Sequence, residues 1–438
     1  MNRYKITGTE RLDADVKLPA SKSISNRALI IYALSGGTMP HNISDCDDTE
    51  VILDALRDMP EEINIKAAGT AMRFMTAYLS VLKKGSHTLT GTARMQKRPI
   101  GILVDALRKL GADIEYLGQE GYPPLRITGH SLQGGLLEAE GNVSSQYISA
   151  LLLIGPVLKK GLELRLTGNI ISRPYIDLTL WMMREYGAEA EWTSADTISV
   201  KPKPYDKHRE YWIENDWSAA SYWYEMVALS NHRDATVRLS GLTDGSKQGD
   251  SVVRYIFSLL GVKTIFETKE AGQLQTVTLK KNGRCVPKLE YDFVNSPDLA
   301  QTIIVTCAAM GVPFHFKGLS TLKIKETDRI EAMKKEMRKL GYVLQERNGS
   351  ELIWDGERCE PDHEAGIDTY EDHRMALSFA PFALKQDIII NQPEVVTKSY
   401  PHYWEELGIA GFAGDVISTE VERSLGCARD DKTKVNSE

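Results

Sequence analysis

Leu89-Thr90-Gly91, Leu166-Thr167-Gly168, Leu239-Ser240-Gly241 and Phe316-Lys317-Gly318 are four versions of one phrase, a strand that stops at a glycine. The glycines stand 77, 73 and 77 residues apart (91 to 168, 168 to 241, 241 to 318). Weaker versions end at Asn42 and Gln392, where another side chain takes the glycine position. After the phrase comes an amphipathic helix, usually closed by a second glycine and strand: Leu110-Gly111-Ala112, Tyr186-Gly187-Ala188, Leu260-Gly261-Val262 and Leu340-Gly341-Tyr342. Before it lies a helix of another kind, apolar nearly all round. Six copies of unequal length predict duplicated βαβ-type units packed around shared cores, an α/β (α+β) fold.

The amphipathic helices carry ordinary 3.6-residue stripes. Ile100, Leu103, Val104, Leu107 and Leu110 form one, and Ile330, Met333, Met337 and Leu340 another, which turns Arg108, Lys109, Lys334, Lys335 and Arg338 to water. The apolar helices are expected at residues 21–34, 69–82, 144–158, 218–229, 297–310 and 372–384. Their bodies lack a polar stripe and belong inside the protein, yet their first turns are small, polar or charged: Ser21-Lys22-Ser23, Gly69-Thr70, Ser144-Ser145-Gln146, Ser218, Pro297-Asp298 and Asp372-His373-Arg374. A helix start offers unpaired N–H groups and the positive end of the macrodipole, so it favours anions. Ser, Thr and Asp there are ordinary caps. Lys22, Arg27 and Arg374 are not, because a cation near a helix start opposes the dipole unless an anion binds.

Loops after the glycine phrase repeat a basic residue at a similar offset: Arg94 and Arg98, Arg173, Lys247, Lys325 and Lys398. One such residue is an ordinary surface charge. Five such loops in a chain with 53 Lys+Arg against 60 Asp+Glu point to a small, multiply anionic ligand. The acidic balance argues against nucleic acid as a partner. Five scattered cysteines without CxxC spacing fit a reduced, cytoplasmic protein without structural zinc. The polar stretch 1–12 predicts no secretory leader. The most apolar run, 150–158, is too short to span a bilayer. A chain of 438 residues is large enough for two domains.

At Ser21-Lys22-Ser23-Ile24-Ser25-Asn26-Arg27-Ala28 the chain resembles the enolpyruvyl transferases, and within them the branch acting on shikimate 3-phosphate. Further markers follow in order: Ala68-Gly69-Thr70-Ala71-Met72-Arg73, Arg94-Met95-Gln96-Lys97-Arg98-Pro99, Val143-Ser144-Ser145-Gln146, Ser172-Arg173-Pro174-Tyr175, Pro297-Asp298, Lys325-Glu326-Thr327-Asp328-Arg329 and Asp372-His373-Arg374-Met375. The likeness runs from about residue 3 to about residue 405. It implies two similar domains, each of three βαβαββ repeats, with buried helices pointing their N-termini at the interdomain cleft. Residues 21–214 would form the first domain, and 1–20 with 215–410 the second. The crossings would lie near 18–21 and 214–217. Residues 411–438, outside the repeats, are read as a short helix and a frayed end.

The resemblance implies transfer of the enolpyruvyl group of phosphoenolpyruvate to the 5-hydroxyl of shikimate 3-phosphate, with release of phosphate, by addition and elimination after domain closure. Lys22, Gly69, Arg94, Gln146, Arg329, Arg374 and Lys398 would hold phosphoenolpyruvate. Lys22, Ser23, Arg27, Ser144, Ser145, Gln146, Ser172, Tyr175, Asp298 and Lys325 would hold shikimate 3-phosphate. Asp298 would act as base, Glu326 as acid with a raised pKa, and Lys22 as a second acid. No cofactor and no metal are implied; His373 would orient its neighbours. A monomer without membrane partners is expected. The family pattern is broken at Ala67, Phe74 and Thr321, which bears on affinity for phosphoenolpyruvate and for the competing inhibitor glyphosate. Two rival readings are the sister transferase acting on UDP-N-acetylglucosamine, whose lid loop carries a cysteine absent here, and a non-catalytic metabolite-binding relative.

Overall fold

The computed structural model describes residues 2–83, 85–268, 272–362 and 365–417. Four of the glycine phrases build four sheets of one design. In the second of them, Gly135–Glu140 runs parallel to Leu162–Thr167, which pairs antiparallel with Thr197–Val200, and that strand pairs antiparallel with Ala190–Trp192. The same order recurs in the sheets centred on Ser86–Thr90, Thr236–Thr243 and Phe314–Lys317. The weaker versions make less. The strand before Gln392, Ile388–Asn391, joins a three-stranded sheet with Arg3–Thr7 and Ala413–Ile417, while the phrase ending at Asn42 contributes only a bridge between His41 and Trp212.

The phrase ends in glycine for a backbone reason. Gly168, Gly241 and Gly318 each have φ +73°, and Asn42 and Gln392 occupy the same left-handed region at +57° and +55°. Side chains that tolerate that region substitute for glycine at a cost. Gly91 is the exception. Its φ is not left-handed, but a Cβ there would come within 2.5 Å of the Lys66 carbonyl oxygen.

All six apolar helices form where expected: Lys22–Ser35, Gly69–Val81, Ser145–Ile154, Trp217–Leu229, Ala300–Met310 and His373–Phe379. They divide between two clusters of buried side chains. One draws on residues from Ala20 to Ile213, and the other on Ile6 to Leu18 together with Trp217 to Phe412. We call these lobe one and lobe two. The chain passes between them twice, at adjacent points bridged by Ala20 and Asn215, where Ser21 N–H donates to the Glu214 carbonyl (2.9 Å) and Asp216 N–H to that of Pro19 (2.9 Å). Among the described residues no helix is long and apolar enough to cross a membrane.

The expectation for the C-terminal segment requires correction. Ala413–Ile417 is a strand rather than a helix, paired antiparallel with Arg3–Thr7. Its partner lies some four hundred residues upstream, so no local pattern announces it. Residues 418–438 lie outside the described residues.

Candidate active site

A cavity of about 280 Å³ opens where the first turns of these helices meet between the lobes. Its lobe-one wall begins at the start of Gly69–Val81. That helix receives no side-chain cap from Ala68, unlike Lys22–Ser35 and Ser145–Ile154, which are capped by Ser21 and Ser144. In place of a cap, two guanidinium groups crowd Gly69: a Cβ there would lie 2.7 Å from Arg98 Nη1 and 3.0 Å from Arg73 Nη1. Arg73 is buried, donates to the Gly69 carbonyl (2.9 Å), and stacks its guanidinium over the Tyr147 ring at 5.6 Å. Arg27, also buried, donates to Thr179 Oγ1 (2.7 Å), the Ser23 carbonyl (2.8 Å) and Ser149 Oγ (3.2 Å). Neither Arg27 nor Arg73 has a carboxylate partner among these bonds. Burial pushes the Arg27 pKa down to about 10 and lowers that of Arg73, where Arg98 adds repulsion. A concave wall of this kind is short of negative charge, and a multiply charged anion supplies it.

Lobe two is built differently. Arg329, 1% exposed, donates to Asp372 Oδ2 (2.7 Å), Glu326 Oε2 (2.8 Å) and Asp298 Oδ1 (3.1 Å). Arg374 donates to Asp298 Oδ2 (2.9 Å), and Lys325 stands 3.7 Å from Asp298 Oδ1. Burial alone would raise the Asp298 carboxyl, but Arg374, Lys325 and Arg329 together hold it far below the usual range. Glu326 behaves in the same way. Burial is outweighed by Arg329, Arg98 and Lys325, and the carboxyl is held well below its ordinary value. The expected raised pKa of Glu326 is therefore not found, because three cations converge on one carboxylate. His373, buried with neither ring nitrogen hydrogen-bonded, is kept neutral by burial and by Lys22 and Arg374.

Arg98 and Tyr175 tie the two walls together inside the cavity. Arg98 Nη1 of lobe one stands 3.9 Å from Glu326 Oε1 of lobe two. Tyr175 directs its hydroxyl between Asp250 Oδ1 (3.3 Å) and Asp298 Oδ2 (3.5 Å). Ser218 makes a short hydrogen bond to the other oxygen of Asp250, and burial together with Asp298 pushes the Asp250 carboxyl up to about 6.

Lys22, Ser23, Arg27, Gly69, Ser144, Ser145, Gln146, Ser172, Tyr175, Asp298, Lys325, Glu326, Arg329 and Arg374 all line the cavity. Arg94 and Lys398 do not. Arg94 Nη1 reaches across to Glu371 Oε2 (2.8 Å) and the Tyr370 carbonyl (3.0 Å), and Lys398 Nζ to the Glu371 carbonyl (3.2 Å). Both are held at the rim by the segment before His373, where Tyr370 and Glu371 take left-handed φ values of +53° and +55°. The loop's inward cation is Arg98, one turn further on; the intervening short helix Met95–Lys97 turns the two arginines apart. Sequence reasoning also passed over Asp48, Arg73, Asp216, Tyr222 and Asp250 as site residues. Only Arg73 carried a usable signal, because four residues after Gly69 a helical side chain folds back over the helix start. Phe74, expected to press on that start, lies fully buried with the Arg27 guanidinium 5.5 Å above its ring. Thr321 lines the cavity with its hydroxyl buried and unpartnered.

The fold matches solved structures of EPSP synthase from Acinetobacter baumannii (TM-score 0.76, 22% identity, 95% of this chain and 100% of that one) and of the enolpyruvyl transferase NikO from Streptomyces tendae (TM-score 0.70, 16% identity, 95% and 99%). The architecture is that of the enolpyruvyl transferases. The sequence further matches the profile of EPSP synthase (3-phosphoshikimate 1-carboxyvinyltransferase) over residues 6–64 and 58–407. It is 58% identical over 412 residues to the 3-phosphoshikimate 1-carboxyvinyltransferase of Bacteroides fragilis strain ATCC 25285, covering 94% of this chain and 98% of that protein. It is 34% identical over 440 residues to that of Sulfurovum sp. strain NBC37-1, covering 93% and 99%. The chain belongs to the EPSP synthase family.

Proposed function

We propose that this cleft transfers the enolpyruvyl group of phosphoenolpyruvate to the 5-hydroxyl of shikimate 3-phosphate and releases phosphate. The observation that carries the reading is the facing of two unlike walls in one cavity: uncompensated arginines in lobe one, and an interlocked set of carboxylates and cations in lobe two. Phosphoenolpyruvate sits against Lys22, Gly69, Arg98, Gln146, Arg329 and Arg374, with Arg98 taking the place expected for Arg94. Shikimate 3-phosphate sits against Ser23, Arg27, Ser144, Ser145, Ser172, Tyr175 and Lys325, and its 5-hydroxyl meets Asp298. Arginine's planar fork and grouped serine hydroxyls suit phosphate and carboxylate.

Asp298, ionised by its cations, takes the 5-hydroxyl proton as the oxygen bonds to the central enol carbon. Glu326 protonates the methylene carbon in the same step. In the elimination the methyl proton returns to Glu326, the carbon–phosphate oxygen bond breaks, and the proton on Asp298 leaves with phosphate. Arg329, Arg98 and Lys325 favour the ionised form of Glu326. Bound anionic substrates offset part of that positive charge and move the carboxyl toward its protonated form.

Residues 21–214, and 1–20 with 215–410, act as two domains that close on the ligands. Closure excludes water and brings the two walls into register. Unpaired Cys46, Cys285, Cys307 and Cys359 support a reducing, cytoplasmic setting. A phosphate-release assay tests the reading. Phosphate appears only when phosphoenolpyruvate and shikimate 3-phosphate are both present, and not when UDP-N-acetylglucosamine replaces the latter; release from phosphoenolpyruvate alone, or none with both, overturns it.

A further inference from the structure

Asp48 enters the cavity wall from the first turn of the helix Asp47–Asp58, and its carboxylate is nearly buried. Its Oδ2 accepts a hydrogen bond from Lys22 Nζ at 3.1 Å. Lys22 stands at the first position of its own helix, where the dipole disfavours a cation. Its backbone N–H is held by Asp216 Oδ2 of lobe two at 3.2 Å, so backbone and side chain are fixed from opposite walls. Several groups act on the ammonium. Burial and Arg374 push it toward the neutral form, His373 faces it uncharged, and Asp48, Cys46 and the more distant Glu326 favour the charge. Of these, Asp48 alone touches it among the described residues. Its own helix adds Asp47, turned away to Thr397 Oγ1, and Glu50, which is exposed.

We propose that Asp48 is the positioning residue for Lys22, clamping it as a permanent cation so that it serves the reaction as a fixed charge and not as a proton donor. An ammonium has three N–H donors. Asp48 occupies one and leaves two for an anion in the cleft. The net result agrees with this arrangement: the Lys22 pKa lies above the ordinary lysine value despite burial. The inference rests on the functional reading above only for the identity of that anion.

The test compares Asp48→Asn, which keeps shape and removes charge while Asp47 and Glu50 still serve the helix start, with wild type. Reaction of Lys22 with acetic anhydride, followed against pH by peptide mass spectrometry, needs no turnover. Wild-type Lys22 reacts only at pH above the range of exposed lysines, and in the variant its labelling curve moves to lower pH. In the phosphate-release assay the variant loses about tenfold or more in kcat/KM for phosphoenolpyruvate, and its alkaline limb moves down with the labelling curve. In a Lys22→Gln background Asp48→Asn costs nothing further. Asp48→Glu restores the labelling curve in part and stands in if the asparagine variant misfolds. An unmoved labelling curve, or an equal loss of rate with and without Lys22, overturns the proposal. Inactive wild type with a shifted labelling curve overturns the functional reading alone.

Discussion

The two walls of the cleft solve one electrostatic problem in opposite ways. In lobe one, Arg27 and Arg73 are buried against hydroxyls, carbonyls and aromatic rings, and among the described residues no carboxylate bonds to either. In lobe two, Arg329 alone meets three carboxylates, and Arg374 shares one of them. The first wall is a standing deficit of negative charge and stays receptive to anions. The second is already compensated, and its cations hold Asp298 and Glu326 as anions. In the proposed reaction Arg329, Arg374 and Lys325 also meet the substrates, so lobe two would combine binding with proton handling while lobe one would contribute binding groups.

The sharpest way to break this comparison is to remove the hub of lobe two. Arg329→Met leaves Asp372, Glu326 and Asp298 facing one another without their common partner. It should abolish measurable turnover and cost about 3–5 kcal/mol in denaturant unfolding. Arg27→Met in lobe one leaves only neutral acceptors and should cost about 1–3 kcal/mol, with its main effect on KM for shikimate 3-phosphate. Equal stability losses would dissolve the distinction. Next, Glu326→Gln should lower kcat about 10²–10⁴-fold while KM values change little, read in steady-state kinetics; a variant losing less than tenfold removes Glu326 from proton transfer.

A smaller contrast separates two arginines of one loop. Arg98→Ala should lower kcat/KM for phosphoenolpyruvate by about 10–100-fold, whereas Arg94→Ala, breaking a partly exposed pair with Glu371, should stay within about fivefold. The reverse order would return Arg94 to the site. The smallest effect concerns Asp250, whose folded value near 6 lies above the ordinary 3.8. The fold favours its protonated form, so this contribution is present below about pH 4 and lost as pH rises through 6. The melting temperature of Asp250→Asn relative to wild type should rise between pH 4 and 7 by roughly 2–4 °C. A difference constant with pH would deny the shift.

Much of this molecule could be read from the chain because its governing patterns are local. A strand ending at a left-handed position, a stripe every 3.6 residues and an apolar helix with a polar first turn are each settled within a dozen residues, and repetition multiplied the signal six times. Hence the helices and most of the cleft were legible: Lys22, Arg27, Asp298, Arg329 and Arg374 were placed by helix starts and motif. The glycine phrase also tolerated Asn42 and Gln392, since the requirement was a φ value and not a residue type.

What only the tertiary structure decided has a common physical cause, which is distance along the chain. Arg94 and Arg98 sit four residues apart with the same chemistry, and a short helical turn with a glutamate 277 residues away chooses which one faces the cleft. The charge of Glu326 belongs to its neighbours: its own sequence allows an acid, and Arg98 from the other lobe helps make it an anion. The strand Ala413–Ile417 exists because Arg3–Thr7 offers an unpaired edge. Sequence alone determined which elements form and which ends they turn to the cleft, because backbone periodicity is short-ranged. The direction of a long side chain and the proton on a buried acid are set by whatever the fold brings opposite, and that was written nowhere within reach of the residue itself.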